Sequence, residues 1–289
     1  MNSNKEINHP SSQDWTEVIV PNSSLFSVNL KEVWRYRDLV LLLVKRDFVT
    51  YFKQTILGPI WFFVNPIFTT LIYTFVFGNI AGISTDGAPQ AVFYLSGVIL
   101  WNYFSTSLTA TANVFTTNAN IFGKVYFPRL IMPLAIVVSN LMQFGVQFLL
   151  FISLVLYYSF AGDVHPNIWI LMTPVLMIMM AAFALGAGMI LSSLTTKYKD
   201  MTMLLAFSVQ LFMYATPVIY PISAMPDKLK PYVALNPLTG IFECFKYAYL
   251  GVGEFHGAML VYPAIFISVL LMVGTLIFNK VQRGFMDTI

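Results

Sequence analysis

The residues best suited to chemistry are few in this chain, and they stand apart from one another. Three histidines, His9, His165 and His256, fall at or beyond the ends of long uncharged stretches. They form no H-E-x-x-H pair, the spacing that puts two imidazoles on one helix face to hold zinc. The single cysteine, Cys244, excludes an intrachain disulfide and a thiolate cluster, and reads as an inert packed thiol. No carboxylate pair lies within an apolar stretch for acid–base work. The phosphate-cradling G-x-x-x-x-G-K-[ST] loop is missing too, since Gly123-Lys124 lacks both the earlier glycine and the hydroxyl. The expectation is a chain that is not an enzyme, binds no cofactor or metal, and has no energy source of its own.

Aromatic surface is what the chain has instead. Trp61, Phe62, Phe63, Phe68, Tyr73, Phe75 and Phe77 crowd one uncharged stretch, Tyr103 and Phe104 a second, and Phe207, Phe212 and Tyr214 a third. Such faces suit a path for sugar rings, whose C–H faces stack on aromatics while their hydroxyls trade partners with water. Trp61, Phe62, Phe68, Tyr73, Phe207, Phe212 and Tyr214 are the candidates for lining it. Ordinary lipid-facing packing and interfacial belts remain open as the other reading.

The elements that must position these residues follow from composition. Of 289 residues 57% are hydrophobic and only 10% charged, against roughly a quarter charged in soluble domains. A water-facing globule of this size has too little polar surface to cover that much apolar material. The net charge of +3 leaves no footprint for nucleic acid. Stretches free of Asp, Glu, Lys and Arg cover residues 54–85, 87–123, 130–162, 164–196, 201–226 and 256–279. Each exceeds the roughly 20 residues that cross a bilayer as a helix, and helix is required because unpaired backbone polar groups do not persist in lipid. Turn residues trim them to six spans near 58–80, 92–113, 131–159, 168–194, 202–220 and 259–280. The fold class is an all-α, multi-pass integral membrane protein. Residues 1–29 form a polar extension without the pattern of a secretory signal, and residues 30–289 one transmembrane domain.

Thirteen of the sixteen lysines and arginines fall in the N-terminal segment, the connections 114–129 and 195–201, and the tail. The positive-inside rule then places both termini in the cytoplasm. Residues 30–53 read as an amphipathic helix with Leu30, Val33, Trp34, Leu41, Val44, Phe48 and Phe52 on one stripe. It lies in the headgroup layer or packs on a partner. The connection NANIFGKVYFPRLIMP, residues 118–133, leaves Ile121, Phe122, Val125, Tyr126 and Phe127 as an apolar knob, either a contact site or a connector tucked against its own bundle. Pro217, Pro221, Pro226, Pro231 and Pro237 break the segment 217–256. Asn236-Pro237 reads as a cap and first turn of a short helix carrying Leu238, Ile241, Phe242, Phe245 and Tyr249 on one face, with Glu243 and Lys246 elsewhere, until Gly251 stops it. The segment is expected to dip back between the other helices, as a candidate gate formed by Pro221, Pro226, Pro231, Pro237 and Phe242.

The order of these features, with LGPIWFFVNP at 57–66, FGKVYFPRLIMP at 122–133 and PISAMPDKLKPYVALNPLTGIFE at 221–243, resembles the permease subunits of bacterial type-2 ABC exporters for lipid-linked polysaccharide, the branch serving O-antigen, teichoic acid and capsule. The resemblance covers residues 30 to about 285. It implies a homodimer in the bacterial inner membrane, above two copies of a cytoplasmic ATPase that holds ATP and Mg2+. Asn118, Ile121, Phe122, Lys124, Val125, Tyr126, Phe127 and Arg129 would then couple to that ATPase. Arg35, Arg37, Arg46 and Lys53 would lie near the headgroups, either as positive-inside anchors or as candidates to meet the substrate pyrophosphate, and residues 221–250 would form the outer gate. Export of another substrate (drug, lipid or haem) by the same kind of permease is the alternative. An ion-coupled transporter is disfavoured by uncharged spans, and a membrane enzyme by the lack of a convergent polar set.

Overall fold

The computed structural model describes the backbone of residues 30–53, 58, 60–122, 124, 127–253 and 255–284, and the side chains of all but 30–32, 51–53 and 283–284. No strand occurs among the described residues. Helices α1 (Leu30–Arg35) and α2 (Arg37–Lys53) precede α3 (Ile60–Tyr73), which runs on into a wider π turn, Thr74–Ile80. The helix α4 (Gln90–Ala112) leads through two single turns, α5 (Val114–Thr117) and α6 (Ala119–Phe122), to α7 (Ile131–Ala161). Then come α8 (Thr173–Lys197), entered by the 3-10 turn Ile168–Met172, and α9 (Asp200–Tyr214). The short helices α10 (Lys230–Ala234) and α11 (Pro237–Leu250) precede α12 (Val261–Gly284).

Four helical stretches are long and apolar enough to cross a membrane: Ile60–Ile80, Ile131–Ala161, Ile168–Lys197 and Gly257–Gln282. No more than 33% of the apolar window of each is buried, so most of that surface faces outward, where lipid accepts it. The other two expected spans differ from these. α4 has 23 residues, about 34 Å at the helical rise, but it carries Gln90, Asn102 and many hydroxyls and lies at the centre of the bundle. It packs against α3, α7, α8 and α11, so it can afford polar side chains that a lipid-facing helix cannot.

α9 is a correction to the expected span 202–220. It stops at Tyr214 after 15 residues, about 22 Å, and residues 215–220 turn away as irregular chain. Pro217 and Pro221 have no N–H to continue the helical ladder. The N-terminal helix also departs from expectation. It breaks at Tyr36, and the seam it packs on α7 is Tyr36, Leu39, Val40, Leu43 and Val44. Of the expected apolar stripe, Trp34 and Leu41 are exposed and Val44 is buried. The repeat i, i+3, i+4, i+7 from Tyr36 defines the buried face; the surrounding run of leucines and valines obscured it. The Leu30 and Phe52 side chains lie outside the described residues.

Candidate functional site

Seen from α4 upward, the site is a groove. At spacings of three and four along α4 and α5 stand Asn102, Ser105, Thr106, Thr109, Asn113, Thr116 and Thr117, a continuous polar ribbon on one helix face. Opposite it lies α9, and between them runs a cavity of about 610 Å³ lined by Trp101, Ser105, Thr106, Thr109, Asn113 and Gln210, among others. Several ribbon groups make local bonds: Ser105 Oγ donates to Asn102 O (3.3 Å), Asn113 Nδ2 to Thr109 O (2.9 Å), and Thr202 Oγ1 of α9 to Asn113 Oδ1 (3.2 Å). Hydroxyl oxygens that donate in this way keep acceptor lone pairs for a ligand. The arrangement offers hydroxyl, amide and indole groups, with no charge among the lining residues, which suits a neutral polyhydroxylated solute. The sequence signal for the ribbon is the run of Ser, Thr and Asn at helical spacing between 102 and 117, overshadowed by the aromatics.

Those aromatics are distributed differently from the expectation. None of the seven candidates lines the groove, whose aromatic wall is Trp101. Phe62 is buried, Tyr73 and Phe212 are half-buried, and Trp61, Phe68, Phe207 and Tyr214 are exposed. Tyr73 Oη meets Met213 Sδ at 3.4 Å, joining α3 to α9. The Phe212 ring lies 6.1 Å from both Trp101 and Phe104. Tyr73 and Phe212 therefore brace the groove from behind, while the exposed four spread over two unpartnered apolar faces.

The connection before α7 turns its two described aromatic rings inward. Phe122 and Phe127 are buried and stack at 5.8 Å. Phe115 stacks on Phe278 of α12 at 4.8 Å, and Leu43 and Val44 of α2 close the same cluster. The Arg129 guanidinium lies 5.8 Å over the Phe122 ring and donates to Gln282 O. Asn118 is half-buried and donates to Val114 O (3.0 Å), Ile121 is half-buried, and Lys124 and Asn120 are exposed. Val125 and Tyr126 lie outside the described residues. Of the two readings left open, these rings follow the tucked one, because α2, α7 and α12 converge here and bury them.

The basic residues of α1 and α2 do not converge. Arg37 pairs with Asp38 at 3.9 Å and lies over Trp34 at 5.9 Å, and Arg35 is exposed nearby. Arg46, held by Asp47 at 2.6 Å, borders a separate cavity of about 400 Å³ with Thr50, Asn118, Ser139 and Asn140. Lys53 has no described side chain.

At the other end of the bundle Asn236 caps α11 by accepting from Leu238 N (3.0 Å), Pro237 fills the first turn, and Gly251 at φ +71° ends it, as the sequence indicates. Pro221, Pro237 and Phe242 are buried, whereas Pro226 and Pro231 are exposed. Glu243 and Lys246, expected away from the apolar face, are only 3% and 2% exposed. Burial pulls the Lys246 ammonium down to about 8, opposed by the charges of Glu243 and Asp86. Burial likewise raises the Glu243 carboxyl. α11 has so many apolar neighbours on every side that even its polar face is enclosed.

The sequence model of the "ABC-2 type transporter" family matches residues 38–250. The chain belongs to that family. The ABC-2 match runs from α2 through α11 and so includes the groove, the aromatic cluster around Phe122 and the broken segment. Among similar ABC-2 relatives, an O-antigen export system permease protein RfbA of Klebsiella pneumoniae is 27% identical over 86% of this chain and 94% of its own length. A polysialic acid transport protein KpsM of Escherichia coli is 22% identical over 84% of this chain and 93% of its own. A capsule polysaccharide export inner-membrane protein CtrC of Neisseria meningitidis is 22% identical over 72% and 78%. Among the described residues of this ABC-2 chain, no group of three or more His, Cys, Asp and Glu is placed to hold a metal ion.

Proposed function

We propose that this chain is the membrane-spanning subunit of an ATP-driven exporter that moves a lipid-linked polysaccharide, O-antigen or a similar glycan, from the cytoplasmic to the outer face of the bacterial inner membrane. The observation that carries the reading is the ABC-2 match over residues 38–250, together with relatives named for O-antigen export and polysialic acid transport that match along nearly their whole length. The uncharged, hydroxyl-lined groove supports it, because sugars are solvated by such groups without being held by charge.

In this reading the four apolar spans are joined by α4, and by α9 with the irregular segment after it, to give six crossings with both termini cytoplasmic. Two copies of the chain close their grooves against each other. The exposed apolar faces of α3 (Trp61, Phe68, Leu71, Ile72) and α9 (Leu204, Phe207, Leu211, Tyr214) support that pairing, since such large apolar patches mark contact with lipid or protein. Two ATPase subunits, holding ATP and Mg2+, dock beneath residues 118–129. α1 and α2 lie at the headgroup level, with Trp34 and Leu41 toward lipid and Arg35, Arg37 and Arg46 within reach of phosphate.

Deleting the gene from a strain that displays the glycan tests this. Surface polysaccharide should vanish, its lipid-linked precursor should build up inside, and an ATPase should co-purify with the tagged chain. Undiminished display, or transport by the purified chain alone under an ion gradient, overturns the reading.

A further inference from the structure

Beyond Tyr214 the chain leaves its helix yet stays buried: Thr216, Pro217, Val218, Ile219 and Pro221 are all enclosed. The segment presses on α4 so closely that a Cβ on Gly97 would lie 2.3 Å from Val218 O. Irregular backbone in apolar surroundings has to find partners for its carbonyls. Here α11 supplies them. Lys246 Nζ donates to Pro217 O (2.6 Å) and Tyr220 O (3.3 Å) and stands 4.2 Å from the centre of the Phe93 ring. One turn earlier the Glu243 carboxyl faces the Ile222 backbone. Asn236 Nδ2 donates to Ala215 O (3.1 Å) and Thr216 Oγ1 (2.8 Å), and Ser223 Oγ donates to Asp86 Oδ1 (2.5 Å), tying in the connection between α3 and α4.

A buried ammonium is costly unless its donors are used, and packing alone is served as well by Leu or Met. The placement is also informative. The segment begins two residues beyond Met213 of α9 and meets α4 at Gly97, one turn beyond Trp101; Met213 and Trp101 are the last groove-lining residues at this end. We infer that Lys246, with Glu243, is the positioning residue of this mouth: it clamps residues 215–223 onto α11 by polar contacts that can break and reform, and so holds that end of the groove closed. That the closed end is an export mouth rests on the function proposed above; the clamp itself does not.

Cys244, the only cysteine, lies buried between the two clamp residues and reports on it. In lipid nanodiscs the full-length chain should react slowly at Cys244 with a polar maleimide. Lys246→Met should react at least tenfold faster and Lys246→Arg close to wild type. Should Lys246→Met fail to accumulate, Glu243→Gln keeps the shape and should react about threefold faster. Protection equal to wild type in the variant that accumulates overturns the clamp.

A second measurement uses Asp86→Cys with Ser223→Cys in a Cys244→Ala chain. Oxidation should bridge most molecules, cut surface polysaccharide at least tenfold, and be reversed by reductant. Full display from bridged chains overturns the mouth. If deleting the gene leaves display unchanged, the exporter reading fails, while maleimide protection still judges the clamp.

Discussion

Gly186 of α8 and Gly274 of α12 meet so closely that a Cβ on Gly274 would lie 2.4 Å from the carbonyl oxygen of Gly186. The Gly186 side is tight as well, with a Cβ there 2.9 Å from the Leu271 Cα. Small residues let helix backbones approach where lipid gives no hydrophobic drive to associate. The atoms in the way are backbone, so a larger residue must push the helices apart. Gly274→Val should cost about 2 kcal/mol and lower the melting temperature of the purified chain by about 5 °C. Gly145, inside α7 with nothing within 4 Å of its Cβ position, is the control: Gly145→Ala should not lower the melting temperature and should raise it slightly if it changes it at all.

Removing hydroxyls from the groove should slow export without harming the fold. Thr106→Val and Thr109→Val preserve shape and each delete one hydrogen-bonding group, about 1 kcal/mol or roughly fivefold in rate; together they should give more than tenfold. Ser107, on the buried side of α4, accepts from Asn140 Nδ2 at 3.2 Å. Ser107→Ala should therefore show itself in melting rather than in polysaccharide display.

The cluster around Phe122 separates stability from coupling. Phe122→Ala should destabilise by about 3 kcal/mol as a ring is lost from a closed core, and Arg129→Ala should loosen the end of α12 by removing the bond to Gln282. Asn120→Ala and Lys124→Ala, both exposed, should leave melting intact and reduce ATPase co-purification several-fold. Equal co-purification from the exposed-site variants would move the docking surface elsewhere.

Asn236 both caps α11 and donates to residues 215 and 216. Asn236→Ala should cost about 1–2 kcal/mol, the upper part of the range for a lost cap, because two further bonds go with it. Asn236→Ser restores the cap but not the reach. It should recover melting more fully than it recovers Cys244 protection.

Much of the fold is legible in the sequence because the bilayer imposes a local rule. A segment in lipid must be apolar and helical along its own length, so residues 60–80, 131–161, 168–197 and 257–282 announce themselves one at a time. The cap at Asn236, the stop at Gly251 and the family resemblance are local as well. The groove was hidden because burial, not composition, determines what α4 does: its hydroxyls are tolerated only by a helix that other helices surround.

The chain by itself therefore determined that this is a membrane bundle, where its lipid-facing helices run and which family it joins, since each follows from neighbours along the sequence. The tertiary structure alone decided that Phe122 and Phe127 turn inward, that Trp101 rather than Phe207 faces the groove, and that Lys246 is enclosed. Those outcomes depend on residues far apart in the chain, such as Arg129 with Gln282 or Lys246 with Pro217, and no local pattern of hydrophobicity encodes who such a partner is.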